Sequence, residues 1–188
     1  MDNTNSLYAG RLVRLGPLDH ENDPPVVARW MNDPLLRSVL VEVARPLSVE
    51  AVRRLLEKVE KQMEETKNLF HFTLRLKDDN RLVGLARIFW IDFHNGTGVL
   101  NLGIGEASDR RHGFGSDALD LLVRFAFNDL NLHRLSAWTG ADNLPFIHMT
   151  EKSGFEIEAR RREAVFHNGR YWDMLHLGLL RSQSEEKQ

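Results

Sequence analysis

The sequence predicts a mixed α/β domain: a mostly antiparallel sheet of about seven strands with helices on both faces. Three observations lead there. An extended apolar run, Val99 to Gly105, passes through Arg110-Arg111-His112-Gly113-Phe114-Gly115 into a stretch with helical periodicity, Ser116 to Leu130. Period-2 and period-3.6 segments follow one another in the order β, αα, βββ, α, β, α, ββ. The chain closes on two strands joined by His167-Asn168-Gly169-Arg170, an Asn-Gly hairpin signal.

The elements follow in order. Residues Met1 to Ala9 read as a polar, frayed start, and Arg11 to Leu15 as a first strand closed by Gly16-Pro17. A short helix covers Pro25 to Met31, with proline in its first turn, where a missing N–H costs nothing. Asn32-Asp33-Pro34 stops it, and Leu35 to Val43 reads as a loop or second short helix. Ser48 is placed to cap a long helix whose stripe is Val52, Leu55, Leu56, Val59 and Met63. That stripe is too short for a coiled coil and suits a helix laid on a sheet.

Phe70–Leu76 and Leu82–Asp92 form a hairpin across Lys77-Asp78-Asp79-Asn80, and His94-Asn95-Gly96 turns the chain into the strand ahead of the glycine turn. In the next helix Leu119, Leu122, Val123, Ala126 and Leu130 share a face. Arg134–Thr139 is a strand, Leu144–Ser153 a short helix bounded by Asn143, and Phe155–Phe166 and Tyr171–Leu180 the last two strands. The tail from Ser182 is polar and reads as loose.

At 188 residues the chain is expected to be one domain, with its core at about 11–180 and loose ends at 1–9 and 182–188. Lys+Arg of 25 against Asp+Glu of 27 leaves a net charge of −2, a balance that does not point to nucleic acid. Cysteine is absent, which removes disulfides, thiol nucleophiles and thiolate metal sites together. No histidine pair stands in metal-binding register with carboxylates, so no metal is expected. No apolar run approaches a membrane span of ~20 residues, and Met1 to Ser6 lacks a signal-peptide core; a cytoplasmic setting fits.

The glycine turn carries the chemistry. Entering a helix from a strand, it aims several backbone N–H groups and the positive helix end at one point, a site for phosphate or pyrophosphate. Gly113 and Gly115 let a ligand approach the backbone, where a Cβ would obstruct it. The spacing is neither that of a nucleoside-triphosphate loop nor that of a dinucleotide fingerprint. It does fit R/Q-x-x-G-x-G/A, and the chain resembles the GNAT acetyltransferases.

The resemblance extends over about Arg11 to Leu180. Asn131-Leu132-His133-Arg134-Leu135, Ala141-Asp142-Asn143 and Glu151-Lys152-Ser153-Gly154-Phe155 look like the run of one branch. That branch contains the ribosomal-protein N-terminal-alanine acetyltransferases and the spermidine acetyltransferases. Trp30-Met31-Asn32-Asp33-Pro34 looks like the branch's "w-x-n-D-P" helix end, and Phe166 to Asp173 like its terminal hairpin.

The resemblance implies a GNAT fold with a splayed central strand pair, acetyl-CoA as co-substrate and an amine acceptor, with a homodimer compatible. The acceptor is a protein N-terminal α-amine or a small amine such as spermidine, another polyamine or an aminoglycoside. It places the backbone of Ile104, Gly105 and Glu106 along the pantetheine arm, which can pair with a strand edge as a pseudo-strand. Gly103 and Gly105 would mark a break or bulge in that strand. Arg110, Arg111, His112, Gly113, Phe114, Gly115 and Ser116 would surround the pyrophosphate, with Asn143 at the mouth of the gap. Direct attack in a ternary complex is implied.

Amide formation from a thioester needs a deprotonated amine, a stabilised carbonyl oxygen and a protonated leaving thiolate. Where many relatives carry a tyrosine acid this chain has Thr150, and where others carry a serine it has Phe146. Thr150 could relay a proton through water, and His148 titrates in a useful range. Glu106 and Asp92 are the carboxylates nearest the expected gap, and Asp173 lies in the last hairpin. Trp30, Trp90, Trp138 and Trp172 could wall an acceptor site. Two other readings stay open: a non-catalytic acyl-CoA-binding module, prompted by the two departures, and a phosphate-binding protein of unrelated fold.

Overall fold

The computed structural model describes residues 8–31 and 46–185. The expected helix stop at 32–34, the segment 35–43 and most of the start at 1–9 lie outside the described residues. Seven strands form one sheet in the order β1-β2-β3-β4-β5-β7-β6. They are β1 (Val13–Gly16), β2 (Phe70–Leu76), β3 (Leu82–Asp92), β4 (Thr97–Ile104), β5 (Arg134–Gly140), β6 (Glu156–His167) and β7 (Arg170–Leu180). Every neighbouring pair is antiparallel except β4–β5, which is parallel.

Among the described residues the α-helices are α1 (Pro24–Trp30), α2 (Val49–Thr66), α3 (Phe114–Arg124), α4 (Leu144–Lys152) and α5 (Arg181–Glu185). The side chain of Ser48 accepts the Ala51 N–H and caps α2. Alternation along the strands sends side chains to two apolar layers. On one face Val27 and Trp30 of α1 and Val52, Leu56 and Val59 of α2 cover Leu85 and Phe89. On the other, Leu119, Leu122 and Val123 of α3 and Ile147 of α4 cover Ala86, Ile88, Leu100, Leu102, Leu135 and Leu177.

Four local expectations are corrected. β1 begins at Val13, because the N–H groups of Arg11, Leu12 and Val13 all donate to the carboxylate of Asp117. α3 begins at Phe114, two residues early, and its last turn is a π-turn, Phe125–Asp129, closed by Leu130 N–H to the Phe125 carbonyl. The tail is tied down as far as Glu185: Ser182 lies within α5, and Arg181 donates to the carbonyls of Phe127 and Leu132 and to the side chain of Asn131. The irregularity expected at Gly103 and Gly105 lies instead on β3, between Phe89 and Asp92; β4 pairs with β3 in unbroken register from Val99 to Ile104.

Candidate functional site

Pairing between β4 and β5 covers only Thr97–Val99 and Arg134–Ser136. Beyond that rung β4 follows β3 to Ile104, while β5 follows β7 to Gly140. The two central strands therefore part. The Gly105 N–H donates to the Val83 carbonyl and the Ala141 N–H to the Asp173 carbonyl, which fixes the parity of both ladders. The main-chain groups of Leu102 and the N–H of Ile104 thus face the gap from β4, and those of Trp138 face it from β5. Each lacks a ladder partner across the gap among the described residues.

Beside this gap α3 begins. Its N-cap is Gly113, at φ 85°, with no capping side chain. The first intrahelical acceptor is the Gly113 carbonyl, taken by Asp117 N–H. Among the described residues no acceptor is recorded for the amides of Phe114, Gly115 and Ser116, the positions a helix start leaves free. A Cβ on Gly115 would stand 3.2 Å from the Met149 sulfur and 3.8 Å from Ile104, so this glycine lies against α4 and the rim of the gap. Arg111, at φ 69°, joins Gly113 in the left-handed region, and His112 stacks on Phe114 at 5.8 Å.

The helix start is held from behind. Asp117, buried in the first turns of α3, accepts from Arg11, Leu12 and Val13 at 2.9, 2.8 and 2.9 Å. A Cβ on Gly10 would stand 2.3 Å from that carboxylate, so glycine is required there too. The acid turns inward to anchor the strand and leaves the outer amides open. Sequence reasoning missed it; the available signal was an acid inside the first turns of a glycine-opened helix.

Arg110 turns back onto the end of β4. Its Nε donates to the Ile104 carbonyl at 3.2 Å and Nη2 to the Gly105 carbonyl at 2.9 Å. It closes the end of β4, where a charge beside phosphate was expected. The Gly105 main chain is engaged on both sides, by Val83 and Arg110. The open edge on β4 is thus formed by Leu102 and the Ile104 N–H, slightly earlier in the strand than the expected run through Glu106.

Glu106 accepts the Trp30 indole N–H at 3.0 Å and an Arg29 guanidinium N–H at 3.4 Å, tying α1 to the end of β4. Thr150 is 0 % exposed, and its hydroxyl bonds the carbonyls of Phe146 and Ile147, each at 2.9 Å. His148 is exposed on α4. Asn143 heads α4, and its amide donates to the Thr139 hydroxyl at 2.9 Å beside the end of β5. Glu106, Thr150 and Asn143 thus each have partners of their own, and no hydrogen bond joins any of them to another.

Asp92 caps the β3–β4 turn, accepting from His94 and from Asn95, and these hydrogen bonds, the Asn95 side chain first, hold its carboxyl below the usual range. Asp173 braces the β6–β7 arm through Glu163 N–H and Arg160, which likewise lower its carboxyl. Asp109 receives both ends of the Arg81 guanidinium, at 2.7 and 3.0 Å, and sits low for that reason. Among the described residues no three His, Asp or Glu side chains gather for a metal ion, and no helix is long and apolar enough to cross a membrane.

These features fit acetyl-CoA: unclaimed amides for a diphosphate and a parted strand edge for an amide-bearing arm. A model of the acetyltransferase (GNAT) domain matches residues 13–156. The chain is similar to the SPbeta prophage-derived uncharacterized N-acetyltransferase YokL of Bacillus subtilis, 31 % identical over 85 % of this chain and 86 % of the relative. It is also similar to the spermidine N(1)-acetyltransferase of Vibrio cholerae, 26 % identical over 54 % and 58 %. The crystal structure of spermidine N-acetyltransferase from Vibrio cholerae in complex with CoA and spermine superposes with a TM-score of 0.78. That likeness is at 21 % identity over 92 % of this chain and 98 % of the other, and it shows the fold. The chain belongs to the GNAT acetyltransferase family and is an N-acetyltransferase whose co-substrate is acetyl-CoA.

Proposed function

We propose that the chain transfers the acetyl group to a primary amine by direct attack in a ternary complex, with the diphosphate of acetyl-CoA at the start of α3. The observation that carries this reading is the open set of amides at Phe114, Gly115 and Ser116 beside a gap whose edges are Leu102 and Trp138. Acetyl-CoA supplies an activated thioester carbonyl. The chain's part is to hold it: Gly113 gives the main chain room, and Arg111 and His112 border the loop. The Leu102, Ile104 and Trp138 N–H groups supply donors inside the gap. A cavity between α3 and α4 begins at Ser116 and runs past Arg124, Met149 and Lys152, and it suits the nucleotide end of the cofactor.

Rate then comes mainly from orientation and preset donors. Thr150 acts as a helix-positioning residue, since its one proton is committed to main-chain carbonyls. Glu106 fixes α1 against β4, and Asn143 sets the mouth of the gap through Thr139. His148 stands exposed on α4. The motif run Asn131–Phe155 supports the branch that holds the protein N-terminal-alanine and spermidine acetyltransferases. Self-association is included in the reading; a solved spermidine N-acetyltransferase from Vibrio cholerae is dodecameric.

The test is thiol release from acetyl-CoA against a panel of peptide, polyamine and simple amines, with thermal shift alongside. Turnover with at least one amine, and a Tm raised by acetyl-CoA and not by ATP or NAD, is expected. CoA binding with no thiol release for any amine would reject the transfer chemistry.

A further inference from the structure

Trp90 stands out on β3. It is a bulky residue at φ 50°, inside the register shift of the β3–β4 ladder, with 67 % of its surface exposed. Backbone preference and the hydrophobic effect both oppose that placement. Its ring lies 5.3 Å from that of Trp138, tilted by 42°, and both rings meet Phe89, at 5.1 and 5.8 Å. Strain of this kind points to a use rather than to stability.

Position says which use. Phe89 pairs with Val99, and Val99 with Ser136 in the last rung before the central strands part. Trp138 lies two residues further along β5, so its side chain projects to the same face as those of Phe89 and Val99. That is the face of α1 and α2, because Phe89, Val99 and Trp138 belong to their apolar layer. α3 and its open amides lie against the opposite layer. A cofactor entering from the α3 side leaves the ring side of the gap to the acceptor.

Among the described residues, the cation and the imidazole that lie against these rings are Arg87, 4.3 Å over Phe89, and His176, 6.0 Å from Trp138. Neither is an acid. The buried His176 Nε2 has no hydrogen-bond partner among the described residues, which leaves one polar contact for a ligand. A polycation needs carboxylates along its length, whereas a tilted pair of indoles suits a flat apolar body.

Building on the transfer reaction proposed above, we infer that Trp90 and Trp138 form the acceptor-recognition wall and select a monoamine carrying a planar ring, an arylalkylamine, over a linear polyamine. The ring stacks in the corner of the two indoles, and its aminoalkyl arm extends into the gap. The amine nitrogen forms the new bond to the acetyl carbon as the bond to sulfur breaks. Its proton passes to water, and the departing thiolate takes a proton from water to leave as CoA.

The test uses the full chain with 2-phenylethylamine, n-propylamine and spermidine, following thiol release, with CoA binding measured by calorimetry. The expected kcat/KM for 2-phenylethylamine is at least tenfold above the other two. Trp90→Ala should raise the KM for 2-phenylethylamine tenfold or more, with kcat within threefold and the KM for acetyl-CoA unchanged. Trp90→Phe should recover most of the loss. A preference for spermidine or n-propylamine, an unchanged KM in Trp90→Ala, or CoA binding with no turnover of 2-phenylethylamine would each overturn the inference while sparing the cofactor site. Failure of the wild-type chain to bind CoA would instead remove the cofactor assignment on which it rests.

Discussion

The indole of Trp30 fills the space beside Gly105: a Cβ there would stand 2.0 Å from Cε2 of the ring. The ring is nearly buried, and its N–H is held by Glu106, so it cannot turn aside as a flexible chain end could. Gly105→Ala must therefore displace α1 from the end of β4. Overpacking of this kind costs ~1–3 kcal/mol, or about 2–4 °C in Tm per kcal/mol for a chain of this size. Calorimetric melting checks it; a Tm equal to wild type would mean that the α1–β4 contact is loose.

Gly115→Glu separates binding from folding. Position 115 is in the first turn of α3, where a carboxylate suits the helix dipole. The same charge would stand where the diphosphate is proposed to bind. The melting temperature should stay within a few degrees of wild type, while CoA affinity falls by roughly two powers of ten, or about 2.7 kcal/mol. Calorimetric titration with CoA reads this directly, and undiminished affinity would remove the helix start from the site.

Thr150→Val asks whether the hydroxyl has any chemical part. Its bonds to the Phe146 and Ile147 carbonyls are a helix feature, and valine nearly preserves the volume. Stability should fall by about 1 kcal/mol, the usual worth of such a hydrogen bond. Steady-state kinetics should show kcat within threefold; a hundredfold loss would return the hydroxyl to the proton path.

Arg75 and Asp23 form a nearly buried pair at 2.6 Å. Burial pushes the Asp23 carboxyl up, and the guanidinium opposes that push. Arg75→Ala leaves the raising effect alone and strands a buried charge, a loss of about 3–5 kcal/mol at pH 7. A folded-state carboxyl titrating above its unfolded value gains stability as pH falls through the folded value. Urea melts at pH 7 and pH 5 should show the deficit of Arg75→Ala shrinking at the lower pH. A deficit independent of pH would mean that Asp23 is not the group left behind.

What could be read from the sequence was local. Asn168 and Gly169, at φ 51° and 77°, make the hairpin turn that their chemistry requires. The start of α3 was legible because glycine pattern and helical period meet within a few residues. Asp117 was not, since the strand amides it anchors lie 104 to 106 residues away. Glu106 looked like a base at a strand end because nothing local announces a tryptophan 76 residues earlier. Trp90 was legible as one of four tryptophans able to wall an acceptor site, but only the register of β3 against β4 shows it set in a bulge and left exposed. The parting of β4 and β5 depends on which strand each follows, a property of the whole sheet.

The most direct measurement is a titration of the 15N-labelled protein with CoA, following backbone amide resonances. The Gly113, Phe114, Gly115 and Ser116 amides should move saturably and together, with Leu102, Ile104 and Trp138 following along the gap. CoA binding that leaves these amides unmoved and perturbs another surface would contradict the account.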